Sequence, residues 1–206
     1  MASLDQGEPA LVSEATPSHA KPSRLQSILD LWTSAVGTLE SLTAAWLPGL
    51  AARFVFLATL FMYYWNAALT KIDDSIFELS TGAYAQIIPP VIEAAGYDKS
   101  AVALPWTALV YAGTYAEFVL PVLLVIGLFG RLAALGMLGF VVVQSYVDMT
   151  FHGVDAETAG AWFDRFPDAI IFDQRLLWAF PLIYLVLKGP GLFSVDGLLG
   201  RVFAKK

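Results

Sequence analysis

Residues Pro105 to Thr150 read PWTALVYAGTYAEFVLPVLLVIGLFGRLAALGMLGFVVVQSYVDMT. Their charged residues are Glu117, Arg131 and Asp148, spread through two long apolar runs. A helix of about 20 apolar residues matches a bilayer core of about 30 Å. The stretch therefore predicts two membrane-spanning helices, about Pro105 to Phe129 and about Arg131 to Thr150. Gly130 alone separates the runs, so the two spans form a tight antiparallel hairpin.

Working outward, Ala51 to Leu69 (AARFVFLATLFMYYWNAAL) predicts an earlier span. A later helix is expected to open at Pro167, suited to a first helical turn, and to end at Leu187 before Lys188-Gly189-Pro190. Its apolar part starts at Leu176, so Asp173, Gln174 and Arg175 must lie near the outer boundary or face the bundle. The composition agrees with four spans: 57% of the 206 residues are hydrophobic and 15% charged, against about 25% charged in soluble domains. Mean hydropathy is +0.64, which excludes disorder for most of the chain. The predicted fold is all-α, a transmembrane four-helix bundle over residues 50–190. Ile76, Ile87 and Val91, with the Pro89-Pro90 break, predict short helices capping it between the first two spans.

The flanking segments are polar or amphipathic. Residues 1–24 (MASLDQGEPALVSEATPSHAKPSR) lack the basic start and apolar core of a secretory signal and read as a retained, mobile tail. Over residues 25–49, Leu25, Ile28, Leu29, Trp32, Val36, Leu39 and Leu42 recur at helical spacing, with Asp30, Ser34, Glu40 and Ser41 largely between them. This predicts an amphipathic interfacial helix, ended by Pro48-Gly49. It lacks a lysine-rich polar face for anionic lipids, so a protein partner suits it at least as well. Residues 191–206 read as a tail.

Charge placement orients the bundle. Lys21, Arg24, Arg53, Arg131, Lys188, Arg201, Lys205 and Lys206 share one side, against Lys71, Lys99, Arg165 and Arg175 on the other. The excess of basic residues predicts that both termini are cytoplasmic. The opposite face holds Asp73, Asp74, Glu78, Glu93, Asp98, Asp155, Glu157, Asp164, Asp168 and Asp173, and is strongly acidic. The expected location is a bacterial inner membrane. Net charge is −6 with no basic cluster, which argues against nucleic acid. The cysteine count is zero, so this chain makes no disulfide, thiolate metal site or dithiol couple. With two histidines, His19 in the tail and His152 in a loop, a bis-histidine haem in the membrane is implausible. No metal-ligand cluster, nucleotide loop or nucleophile motif is present, and no covalent cofactor is expected.

Glu117 is the first candidate for chemistry. It lies about twelve residues, ~18 Å, from either end of its span, where a carboxylate costs ~2.5 kcal/mol or more to insert. Such a group is functional by default, the alternative being a protonated acid that only glues helices. Asn66 and Lys71 lie at the outer end of the first span. Gln144 and Asp148, four apart, share one face of the third. With Tyr111 and Tyr115 they predict a polar cavity in the outer half, where Lys71 reaches Asp148 or Glu117. Interfacial snorkelling by Lys71, an aromatic belt of Tyr63, Tyr64, Trp65 and Trp106, and interhelical hydrogen bonds from Gln144 and Asn66 are the plainer alternatives. His152 reads as an ordinary loop residue. Gly113, Gly127, Gly136 and Gly139 read as sites of close helix contact.

Ala116 to Phe140 (AEFVLPVLLVIGLFGRLAALGMLGF), Leu69 to Asp74 (LTKIDD) and Gly189 to Asp196 (GPGLFSVD) together resemble the DoxX family of small four-span membrane proteins, over roughly Arg53 to Leu199. The N-terminal region and the acidic insertion around Asp155 to Phe163 depart from that pattern. The resemblance implies a link to oxidoreductase systems, relatives including a subunit of thiosulfate:quinone oxidoreductase. It matches Glu117, Lys71, Asp73 and Gln144 by position without giving their roles. A quinone is then the expected ligand, with Glu117 relaying protons and Lys71, Gln144 or a tyrosine binding a carbonyl. The acidic outer face would repel a thiosulfate dianion. The other expectation is a non-catalytic accessory subunit of a larger respiratory or photosynthetic membrane complex, docked through the amphipathic helix. Lipids and other membrane subunits are the expected partners, and the acidic loop would suit a basic soluble electron carrier.

Overall fold

The computed structural model describes residues 23–204, so nearly all of the expected N-terminal tail and the last two residues lie outside it. Two compact units divide the chain between Ser41 and Leu42. The first consists, among the described residues, of most of helix α1 (Arg24–Thr43). A reciprocal capping box starts it: the Gln26 amide donates to Ser23 Oγ at 3.2 Å, and the Ser23 amide to Gln26 Oε1 at 2.8 Å. α1 buries no residue. It stops at Thr43, short of the expected Pro48-Gly49. Pro48 instead stands in the first turn of the next helix, the place where its missing N–H costs nothing.

The second unit is all helical. Four of its helices are long and apolar enough to cross a membrane: α2 (Leu47–Leu69), α5 (Leu104–Ile126), α6 (Gly130–Phe151) and α8 (Ile170–Lys188). The chain is a multi-pass, all-α membrane protein. The shorter helices are α3 (Thr81–Ile87), α4 (Pro89–Ala94), α7 (Ala156–Ala159) and α9 (Val195–Phe203). Helices α2, α5, α6 and α8 neighbour one another in a closed ring. Phe56, Leu60 and Tyr64 of α2, Leu124 of α5, Met137 and Val141 of α6, and Leu182 and Leu185 of α8 fill its centre. Lipid tails are as apolar as these side chains, so close packing rather than water exclusion holds the ring. Gly136 shows this: a Cβ there would stand 3.0 Å from Leu120 Cδ1. Pro167 does not open α8, which begins at Ile170, where the Asp173 carboxylate accepts the Ala169 amide at 3.1 Å.

At one end, α5 and α6 meet in a turn with Gly127 (φ 70°) and Phe129 (φ 49°) in the left-handed region. The segment after α8 is not a free tail. Ser194 caps α9, and Asp196 accepts the amides of Phe129 and Gly130, both at 2.8 Å, at the start of α6. A carboxylate is favoured at that positive helix end. Buried Arg53 donates to Val125 O at 2.8 Å and to Phe193 O, tying α2 to α5 and to the α8–α9 connection.

At the other end, α3 and α4 form the expected cap with a core of its own, Leu79, Ala83, Tyr84, Ile88, Ile92 and Val102, seated on Val110 of α5. A tight return runs from Lys71 to Ser80: the Asp73 amide donates to Glu78 O at 2.8 Å and the Ser80 amide to Lys71 O at 3.0 Å. That return fixes the backbone of Lys71.

Candidate functional site

Lys71 folds back beside the bundle instead of snorkelling outward. It is 3% exposed, and its Nζ donates to Glu117 Oε2 at 2.8 Å and to Ala67 O at 3.2 Å. Glu117 is 5% exposed. Of the two carboxylates expected within reach of Lys71, Glu117 is the one it meets. Asp148 pairs with buried Arg175 of α8 through Nη2 at 2.5 Å, and with His152 Nδ1 at 2.8 Å. Arg175 also donates to Ser145 Oγ at 3.0 Å. Arg175 thus faces the bundle, one of the two positions expected for it.

Both acids line one cavity of about 540 Å³, between the cap-side halves of α2, α5 and α6 and beneath α3. Tyr63, Tyr64 and Ala67 of α2 and Lys71 just beyond its end form one wall, with Leu109, Gly113 and Glu117 of α5 beside them. Gly139, Phe140, Val143, Gln144, Val147 and Asp148 of α6 form the next. Gln86 and Ile87 close the cap end, and His152 stands at the rim. Most of the lining is hydrocarbon, with the polar groups set in a small part of it.

Helical phase explains which expected residues take part. On α5 the cavity face is the i, i+4, i+8 row Leu109, Gly113, Glu117. At 3.6 residues per turn, Tyr111 and Tyr115 fall nearly opposite it. Their hydroxyls donate to Phe77 O (3.0 Å) and Ile76 O (2.8 Å), which ties the cap loop to α5. On α2 the face is Tyr63 and Ala67, continued by Lys71 just beyond its end, with Tyr64 beside them, and Asn66 lies off it, exposed. Neither these two tyrosines nor Asn66 lines the cavity. Gln144, Asp148, Lys71 and Glu117 do.

The residue sequence reasoning missed is Tyr64. It was placed in an interfacial belt, yet it is 1% exposed and its hydroxyl has no hydrogen-bond partner. Gln144 donates to Tyr63 Oη at 2.6 Å, while its Oε1 is buried without a partner. Whichever way round the amide sits, one polar end is unmatched. Buried groups of this kind cost about 1–3 kcal/mol each when unsatisfied. Gly139, expected at a helix contact, has nothing within 4 Å of where a Cβ would stand.

No family model matches the chain, and no curated protein or solved structure is significantly similar to it. The site must therefore be read from its own chemistry. Among the described residues no group of three or more His, Asp or Glu could hold a metal ion. The arrangement offers a buried charge pair beside one largely apolar space, with an unmatched hydroxyl and an unmatched amide end buried within residues that line it.

Proposed function

We propose that this chain is the quinone-binding component of a membrane oxidoreductase system of the DoxX type. The observation that carries the reading is the Lys71–Glu117 pair, buried in the wall of a largely apolar cavity at membrane depth. A quinone is a flat apolar ring with carbonyl oxygens, and its reduction takes up two electrons and two protons. The cavity suits the ring. The Tyr64 hydroxyl is a donor for one carbonyl, and Gln144 offers its unmatched amide end to the other or to the hydroxyl of the reduced form. The Lys71 ammonium holds exchangeable protons beside this space and the Glu117 carboxylate can accept one, while His152 pairs with Asp148 at the rim. The electrons come from a partner, since the chain has no cysteine with which to hold a cluster or a dithiol. The family assignment rests on the short motifs quoted above.

The test is titration of purified protein in lipid discs with a ubiquinone analogue, for the native chain, Glu117→Gln and Tyr64→Phe. Saturable binding that weakens about tenfold in either variant supports the reading. Absence of saturable binding to the native chain refutes it.

The accessory-subunit reading draws on α1. It exposes Leu25, Ile28, Leu29, Leu31, Trp32, Val36, Leu39 and Leu42, and its described basic residue is Arg24 alone. Such a helix suits a protein groove better than an anionic lipid surface. A mild-detergent purification yielding a stoichiometric complex that keeps its activity after deletion of this chain would favour that role.

A further inference from the structure

The residues lining the cavity meet its surroundings on two sides of different character. At the cap-side rim stand Asp148 and His152, with side chains 22% and 35% exposed. The second side lies lower, between α5 and α6. Leu109 and Val143 line the cavity and are at the same time 48% and 61% exposed, on helices whose exposed faces are apolar. Below them Gly139, exposed and without a side chain, leaves a notch in α6. Gly139 is about eleven residues, ~16 Å, from the outer end of its span, close to the middle of a core of about 30 Å. On the turn side of the notch the two helices close up, Leu120 packing on Gly136.

Resting on the quinone reading above, we propose that the ligand enters sideways from the lipid through the α5–α6 cleft, and that its apolar tail lies over Gly139 and leaves between Leu109 and Val143. The substrate class is thereby narrowed to a molecule dissolved in the bilayer, with a polar-edged head and a long hydrocarbon tail. A water-soluble head alone fits the polar rim instead. Two observations bear on this. The buried Lys71–Glu117 pair gives the head a polar anchor where α2 meets α5. The exposed residues of the lining between α5 and α6, Leu109, Gly139 and Val143, are all apolar. A tail leaving there passes apolar side chains, whereas leaving by the rim would take it past Asp148 and His152.

Gly139→Phe fills the notch from a position where a Cβ meets open space. Val143→Trp, at an exposed position, narrows the same cleft by a different side chain. Both are reconstituted in lipid discs and titrated with two ubiquinone analogues, one with a long isoprenoid tail and one with none. A side chain that fills the cleft excludes the tail by steric overlap, since its methylene groups stay in hydrocarbon on either side of the entrance. The long-tailed analogue should therefore bind at least about tenfold more weakly, or enter correspondingly more slowly, in both variants. The tailless analogue should bind within about twofold of the native chain, a change too small to report a lost contact. Equal weakening of both analogues, or of neither, overturns the lateral entrance while leaving the quinone site standing. Failure of both analogues to bind the native chain overturns the site and the entrance together.

Discussion

Removing one member of the Lys71–Glu117 pair should harm the fold far more than removing both. Each side chain is at most 6% exposed, and their charged atoms are 2.8 Å apart. Glu117→Gln leaves a buried ammonium without its counter-charge, and Lys71→Met leaves a buried carboxylate. Breaking a buried pair in this way costs about 3–5 kcal/mol, while replacing both members with well-packed neutral residues is close to neutral. For a chain of this length, with about 2–4 °C per kcal/mol, each single variant should melt roughly 6–20 °C lower. The Gln variant belongs at the low end, because its amide oxygen still accepts from Lys71 Nζ. The double variant Lys71→Met/Glu117→Gln should recover most of that loss. The assay is thermal unfolding in one fixed detergent, with the three variants and the native chain forming a double-mutant cycle. Quinone-analogue binding is measured alongside. Additive losses in the cycle would refute the claim that the two groups meet as a buried pair. Full binding in a double variant restored to native stability would mean that the pair is helix glue, and the proposed role would fall with it.

Three further outcomes follow from the surrounding geometry. Gly127→Ala should destabilise by at least about 2 kcal/mol, through the left-handed backbone and overpacking, since a Cβ would stand 2.5 Å from Ser194 Cβ; Gly139→Ala should gain about 0.5–1 kcal/mol, and equal effects in a melting assay would contradict the packing described. Asp196→Ala removes the carboxylate that caps α6 and should cost about 2 kcal/mol, read as faster hydrogen exchange at the Phe129 and Gly130 amides. The Thr158 amide at 2.7 Å holds the Asp155 carboxyl below its ordinary 3.8, so the order it gives the Phe151–Phe166 loop is present above that value and is lost as pH falls through the lower folded one; protection of the Thr158 amide that disappears already at about pH 5 would contradict this.

The spans were legible because apolar runs of bilayer length have few other uses, and each was placed to within a few residues except at prolines. Pro48 and Pro167 show why: a proline suits a helix stop or a helix start, and here Pro48 stands in the first turn of α2 while Pro167 lies before α8 without opening it. Glu117 was legible because its insertion cost singles it out. Its partner was narrowed to one of two acids but not chosen, since Lys71 and Glu117 lie 46 residues apart and meet only through the return from Lys71 to Ser80. Asn66, Tyr111 and Tyr115 were selected by depth in the membrane, which puts them at the right height on the wrong side. Phase would have corrected this: the row Tyr63, Ala67, Lys71 marks one face, and Leu109, Gly113, Glu117 the face that meets it. Tyr64 reads as interfacial because aromatic residues at a span end usually are, and its burial depends on Phe56 stacked on it and Phe140 edge-on to it.

Comparing two buried cations separates a structural use of charge from the use proposed for Lys71. Arg53 spends its guanidinium on the carbonyls of Val125 and Phe193, which are backbone groups at a helix end and a connection that would otherwise lack donors. It closes a junction between α2, α5 and the segment leading to α9, and such a bond needs no cavity. Lys71 has one carbonyl, Ala67 O, already within its own helix turn. Its remaining reach is spent on a carboxylate that itself costs free energy to bury. Packing alone would be served as well by Met and Leu at those positions. The unmatched hydroxyl of Tyr64 and amide end of Gln144 add a further cost in the same space. Four polar groups that would each be cheaper as hydrocarbon belong to residues lining one cavity, two paired with each other and two unmatched, and a ligand that reached the unmatched two would offset their cost on binding. The junction at Arg53 should therefore be indifferent to quinone analogues, while the cavity end of the bundle should stiffen when they bind.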